Sequence, residues 1–235
     1  MKMTIKYKIT PELLSIKNHL GLPKVFLKEV PFLTPKGNEV IIPNDVFLKC
    51  INGELKKYRR VKNQSSSTLN KLIMYLDSDK KLQRELVDEF LKYLTTDLLF
   101  YRVSSPERLS LLQNKSWDDA INHYNKKLGT SWRTTENVTF ISQPNQSILK
   151  TSKFLEKLSI LDLIIMHSIL KLSGSCVIAI LCKFEKIDYR QAWELCFLEE
   201  LWYHRNIIKD DQSYLELTSK RSDLMINMQL LSSLC

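Results

Sequence analysis

Glu199, Glu200 and His204 place two carboxylates and an imidazole within two turns of a helix. Such a set can move protons, and Glu200 with His204, four residues apart, can grip a metal ion weakly. No second ligand pair accompanies them, so neither a metal site nor a cofactor is expected. The four histidines, His19, His123, His167 and His204, form no HExxH, and the five cysteines form no CxxC. The five glycines lie too far apart for a dinucleotide fingerprint or a phosphate loop, and there is no GxSxG nucleophile elbow. His167, on an otherwise apolar helix, reads as a hydrogen-bonded core histidine. The cysteines, odd in number and scattered, read as small core fillers in a reducing compartment. The residues thus give no familiar catalytic motif, and an enzyme using Glu199, Glu200 and His204 as acid/base groups or metal ligands stays as a rival reading that needs a pocket where those side chains converge.

Glu200 stands out for another reason. A single helix over 188–207, advancing about 100° per residue, lines up Tyr189, Trp193, Cys196, Phe197 and His204 on one stripe. Glu200 falls in the middle of that stripe, and Glu199 lies roughly 100° to the side. A lone charge on an apolar stripe is costly. Two readings stand level: an ion pair with a neighbouring helix, or an acid kept for a partner.

The elements that must position these residues fall into two regions. Residues 24–42 read as a hairpin, with Val25 to Leu27 and Glu39 to Ile42 flanking the turn Thr34-Pro35-Lys36-Gly37-Asn38. Asn44 is placed to cap a helix whose face carries Phe47, Ile51 and Leu55. From about residue 78 the period becomes helical, with Leu82, Leu86, Phe90 and Leu94 spaced by four. Ser105-Pro106 reads as a helix start, with serine as N-cap and proline in the first helical position. Ser116 with Asp119 resembles a capping box, and Gly129 a C-terminal cap. Residues 130–150 read as a long connection with a possible strand at 138–141. Helices are expected at 152–172, 174–185, 188–207 and 211–233. The Gly174-Ser175 pair between two apolar helices reads as small residues that permit close packing.

Charge and proline divide the chain in the same place. Residues 1–80 hold 15 basic and 7 acidic residues; the rest hold 20 and 19, within a net charge of +9. Five of the seven prolines lie before residue 44. The expected fold class is α+β, with a small N-terminal β-rich domain over 1–77 and a larger α-helical domain over 78–235. Five of the seven residues 56–62 are basic, but without an aromatic platform they read as a solvated loop rather than a nucleic-acid-binding surface. No apolar run reaches the ~18 residues of a membrane span. The first 58 residues contain no arginine, which is unlike a transit peptide.

Several blocks in order resemble a known family. Thr96-Asp97-Leu98-Leu99-Phe100-Tyr101-Arg102, then Pro106, Leu109, Gln113 and Trp117-Asp118, are similar to the central signature of the ATP synthase F(1)-sector assembly chaperones, the assembly factor 2 proteins. Thr34 to Asn38 with Pro43 resembles that family's early hairpin, Leu172-Ser173-Gly174-Ser175 its central small-residue segment, and Ala192-Trp193 with Leu198-Glu199-Glu200 its late acidic motif. Asp210 fits a following acid of the motif. Leu55, Tyr203 and Ile207-Ile208 depart from the pattern. The resemblance implies a non-catalytic chaperone that binds the free alpha subunit of F(1)-ATPase and releases it when the beta subunit arrives. It also implies a functionally required glutamate, here Glu199 or Glu200, and a bacterial cytoplasm or, for a processed chain, a mitochondrial matrix.

Overall fold

Gly21, at φ 83°, sits in the turn between β1 (Leu14–His19) and β2 (Leu22–Leu27). The two pair antiparallel, from Leu14 opposite Leu27 to His19 opposite Leu22. A second turn, with Lys28 and Glu29 both at positive φ, leads into the two-residue β3 (Val30–Pro31). The sheet order is β1-β2-β3. The computed structural model describes residues 14–19, 21–58, 68–136, 139–184, 187–207 and 211–234. The chain divides into two compact units, Met1–Asp79 and Lys80–Cys235.

The first unit modifies the expected hairpin. The turn at 34–38 is present, closed by Thr34 N–H to Asn38 O at 2.8 Å and by Gly37 at φ 84°. Val25 to Leu27, however, belong to β2 and pair with β1, which the sequence reading missed. Residues 39–42 form only isolated bridges, Leu33 to Glu39 and Lys24 to Ile41. Prolines at 23, 31, 35 and 43 explain this, since each removes a ladder donor. The turn is fastened to the end of a helix instead. Asp77 accepts from the Thr34 hydroxyl, from Lys36 N–H and from the Asn38 amide, which also donates to Leu76 O.

Asn44 caps α1 (Asp45–Tyr58), its Oδ1 accepting from Val46 and Phe47 N–H at 3.0 and 3.1 Å. Phe47, Ile51 and Leu55 are buried as one face. Helix α2 (Thr68–Leu76) begins ten residues before the helical period was expected. Its first donors, Thr68 N–H and hydroxyl, go to the Glu54 carboxylate of α1. Of the basic run 56–62, Lys56 is exposed on α1 and residues 59–62 lie outside the described residues.

The second unit is helical: α3 (Lys80–Thr95), a 3-10 turn (Leu98–Phe100), α4 (Glu107–Leu128), α5 (Asn145–Leu155), α6 (Ile160–Ser173), α7 (Cys176–Lys183), α8 (Tyr189–Cys196), α9 (Leu198–Asn206) and α10 (Asp211–Ser232). With the three-stranded sheet confined to the first unit, the fold class is α+β. Helices α6 and α7 form its centre. Every residue of α7 except Lys183 is buried, which accounts for the almost uninterrupted apolar sequence there. His167 of α6 is held by the Glu89 carboxylate at 2.7 Å, so it is a partnered histidine at the α3 boundary. Among the described residues, no helix is long and apolar enough to cross a membrane.

Three local features differ from the expected ones. Pro106, not Ser105, occupies the N-cap position of α4. Ser116 starts no helix, because α4 runs unbroken from Glu107 to Leu128; its buried Leu109, Gln113, Trp117, Ala120 and Tyr124 keep one continuous face. Residues 139–144 form no strand; among the described residues the loop is bridged at Tyr101 to Thr135. Gly129 does cap α4, at φ 64° with its N–H on Asn125 O.

Asp77 gathers three donors from one turn, so Asp77→Ala should leave them competing with water. The expected loss is about 1–3 kcal/mol, read by urea unfolding of the full chain. A loss below the error of that measurement would show that the turn stands without its anchor.

Candidate partner-binding cleft

The family-like residues from Asp97 onward lie in the second unit, and one group of them surrounds a buried carboxylate. Asp97 is fully buried and is the N-cap of the 3-10 turn, accepting from Leu99 N–H at 3.1 Å. It also accepts from the Ser175 hydroxyl at 2.7 Å and from Val177 N–H at 3.0 Å, at the start of α7. The positive end of a helix dipole suits a carboxylate there. Ser175 completes the junction as N-cap of α7, accepting from Ile178 N–H. Burial pushes the Asp97 carboxyl up from 3.8 to about 6, against the pull of Ser175, Val177, Leu99 and Cys176.

Gly174 is needed for its backbone rather than for close packing. A Cβ there would meet nothing within 4 Å, but the residue ends α6 at φ 68°. A left-handed conformation costs a residue with a Cβ roughly 1–2 kcal/mol. The resulting sharp turn sets Ser175 against Asp97.

A second chain of contacts runs outward from Arg102. Its guanidinium donates to Gln113 O at 2.7 Å and to Asp118 at 2.8 Å, and lies over the Trp117 ring at 5.1 Å. Arg102 forms an ion pair with Asp118, while Asp97 faces α7. Burial holds the guanidinium below its ordinary value, and Asp118 opposes that. Trp117 is a core residue, 1% exposed, with its indole N–H on Leu195 O at 3.1 Å. Tyr101 contributes through its backbone bridge to Thr135. Gln113, fully buried, accepts from Val103 N–H through Oε1, which aims its amide N–H₂ at the Glu199 carboxylate, 2.6 Å away.

Here the expected stripe fails. The helix over 188–207 breaks at Phe197, at φ −120° and ψ 28°, into α8 and α9. The phase therefore resets, and Glu200 is not a buried acid within an apolar stripe. It is exposed, while Glu199 is half-buried and bonded to Gln113. Burial pushes the Glu199 carboxyl up, Glu200 beside it adds to that, and Gln113 opposes it. No proline or glycine marks the break, so periodicity alone carried no signal of it. Asp210 lies outside the described residues.

The convergence leaves a cleft of about 210 Å³. Trp117, Leu172 and Phe197 give it apolar walls, Gly174 lies along it, and Glu199 and Glu200 stand together in its lining. Lys220 of α10 also lines it, a residue that sequence reasoning did not single out and that no pattern in α10 marks. Among the described residues, no group of three His, Cys, Asp or Glu is placed to hold a metal ion. The arrangement suits the binding of a polypeptide surface, with aromatic walls beside paired acids.

Two measurements test this construction. Trp117→Ala should cost about 3–5 kcal/mol of stability, as expected for a buried aromatic. Unchanged stability with lost partner binding would instead make Trp117 a contact residue. The folded chain holds the Asp97 proton to higher pH than the unfolded chain does. Its contribution is thus fully present below pH 3.8 and is lost as pH rises through about 6. The stability of wild type relative to Asp97→Asn should therefore fall by up to about 3 kcal/mol between pH 4 and 7. A pH-independent difference would mean that the two states share one Asp97 pKa.

Comparison with known proteins adds a family likeness and a fold. The model of the ATP12 chaperone protein family matches residues 14–125. No curated protein sequence matches the chain. The Atu1473 protein from Agrobacterium tumefaciens shares the fold with a TM-score of 0.78 and 22% identity, over 94% of this chain and 84% of that one. Atp12 from Paracoccus denitrificans does so with a TM-score of 0.74 and 20% identity, over 93% and 94%. A mutant of the Paracoccus protein gives a TM-score of 0.74 at 19% identity, over 97% and 96%. These structures establish likeness of fold, and the family match adds that residues 14–125 of this chain are similar to the ATP12 chaperone protein family.

Proposed function

We propose that this protein is an assembly chaperone of ATP synthase that binds the free alpha subunit of F(1)-ATPase and yields it to the beta subunit. The observation that carries the reading is the match of residues 14–125 to the ATP12 chaperone protein family. The geometry supports it. A subunit awaiting its neighbours exposes apolar surface that aggregates. The cleft offers aromatic walls, and Tyr203 on α9, Ile207 just after it, and Tyr214 and Leu215 on α10 are exposed, at 39%, 57%, 42% and 68%. Release by competition needs only that beta bind an overlapping surface of alpha more tightly, without a reaction at the chaperone.

Size exclusion of the purified chain with free alpha subunit should give a stable complex, and with intact alpha–beta hexamer none. The reverse pattern would overturn the proposal. Within the complex, the acids should matter through charge. Glu200 is exposed and in no ion pair among the described residues, so Glu200→Lys should leave stability within about 0.5 kcal/mol. It should nonetheless weaken alpha binding more than Glu199→Gln, which retains the acceptor for Gln113. A large fall in melting temperature, with binding intact at low temperature, would make Glu200 a structural residue.

A further inference from the structure

The cleft holds a positive charge of its own. Lys220, exposed on α10, sends its ammonium over the Phe197 ring, 5.4 Å from the centroid, and lines the same cleft as Glu199 and Glu200. Among the described residues it forms no ion pair with either acid within 4 Å. The acids likewise lack a basic partner among the described residues, and Glu199 is bonded to the neutral Gln113. At about 210 Å³ the cleft is smaller than the roughly 300 Å³ at which pockets for small organic ligands begin. It has room for one long side chain. Aromatic walls favour an alkyl stem and a cation, and neighbouring carboxylates favour that cation's charge.

We infer that the cleft is a subsite for one basic side chain, lysine or arginine, of the bound protein, and that Lys220 is its resident competitor. This rests on the chaperone reading for the identity of the partner, but not for the chemistry of the cleft. The incoming stem lies against Trp117, Leu172 and Phe197, its charge meets Glu199 and Glu200, and the Lys220 ammonium leaves the Phe197 face to make way. Gln113 acts as a positioning residue. Its amide is oriented by Val103 N–H, so it holds the Glu199 carboxylate at the cleft instead of letting it turn to solvent. The cleft thus carries a weak built-in block, which raises the threshold for loosely matched partners. A neutral side chain gains too little here to displace Lys220.

The test uses the full chain and two kinds of ligand. N-acetyl-arginine methylamide, N-acetyl-lysine methylamide and the neutral norleucine analogue are titrated while NMR follows the Trp117 indole and the Gly174 and Glu200 amides. The basic probes should shift these signals with millimolar affinity, and norleucine should not. Lys220→Met keeps the stem over Phe197 but removes the charge, so it should tighten the basic probes about two- to five-fold. Glu200→Gln should weaken them by a similar factor. Equal response to norleucine, or weaker binding by Lys220→Met, overturns the inference. The same variants are then measured against free alpha subunit, where Lys220→Met should again bind more tightly. If the wild type binds the basic probes but not alpha, the chaperone reading fails and the subsite stands. If it binds alpha with no change from Lys220→Met or Glu200→Gln, the subsite fails and the chaperone reading stands.

Discussion

Asp97 is a carboxylate without access to water, and three pieces of backbone are organised by how it is satisfied. It turns the chain after α3 into the 3-10 segment, and it receives the first turn of α7. Through Ser175 it also fixes the short link from α6. Leaving such a group without donors would cost several kcal/mol, so its partners are held to it. Leu98, next to Asp97, and Gly174, next to Ser175, both line the cleft. The polar junction therefore sets the spacing of two of the cleft's walls. The apolar helices α6 and α7 supply the burial, but they cannot by themselves specify where one ends and the other begins.

The same logic extends outward in steps of decreasing burial. Arg102 and Gln113 are buried, Glu199 is half-buried and Glu200 is exposed. Val103 N–H orients the Gln113 amide, and that amide in turn holds Glu199. Arg102 bonds the Gln113 carbonyl, and Gln113 bonds the Glu199 carboxylate. A surface acid placed this way keeps its direction without an ion pair, which leaves its charge for a partner. Motif residues that read as separate blocks in the sequence thus form two hydrogen-bonded groups, one around Asp97 and one from Arg102 to Glu199, and members of both stand beside the same cleft.

Much of the frame was legible in the residues. Asn44 with Phe47, Ile51 and Leu55 announced α1, and Gly129 marked the end of α4, because caps and periodicity are local. The α+β class and the burial of Trp117 followed from the same signals. What stayed hidden depends on contacts distant in sequence. β1 alternates only over Leu14 to Lys17, too short a signal to stand alone, and is defined by pairing with β2. The break at Phe197 involves no proline or glycine, so the phase that made Glu200 appear buried was lost without warning. Ser175 read as a packing residue because its partner, Asp97, lies 78 positions earlier. Lys220 entered the cleft from α10, whose sequence shows no sign of it.

The central claim is that the cleft beside Glu199 and Glu200 is the surface that meets the partner. Hydrogen exchange of the chain with and without free alpha subunit tests it most directly. The account predicts slowed exchange in peptides covering 172–175 and 196–203, with little change in the buried interior of α7. Protection confined to the first unit, with the cleft peptides exchanging as in the free protein, would contradict it.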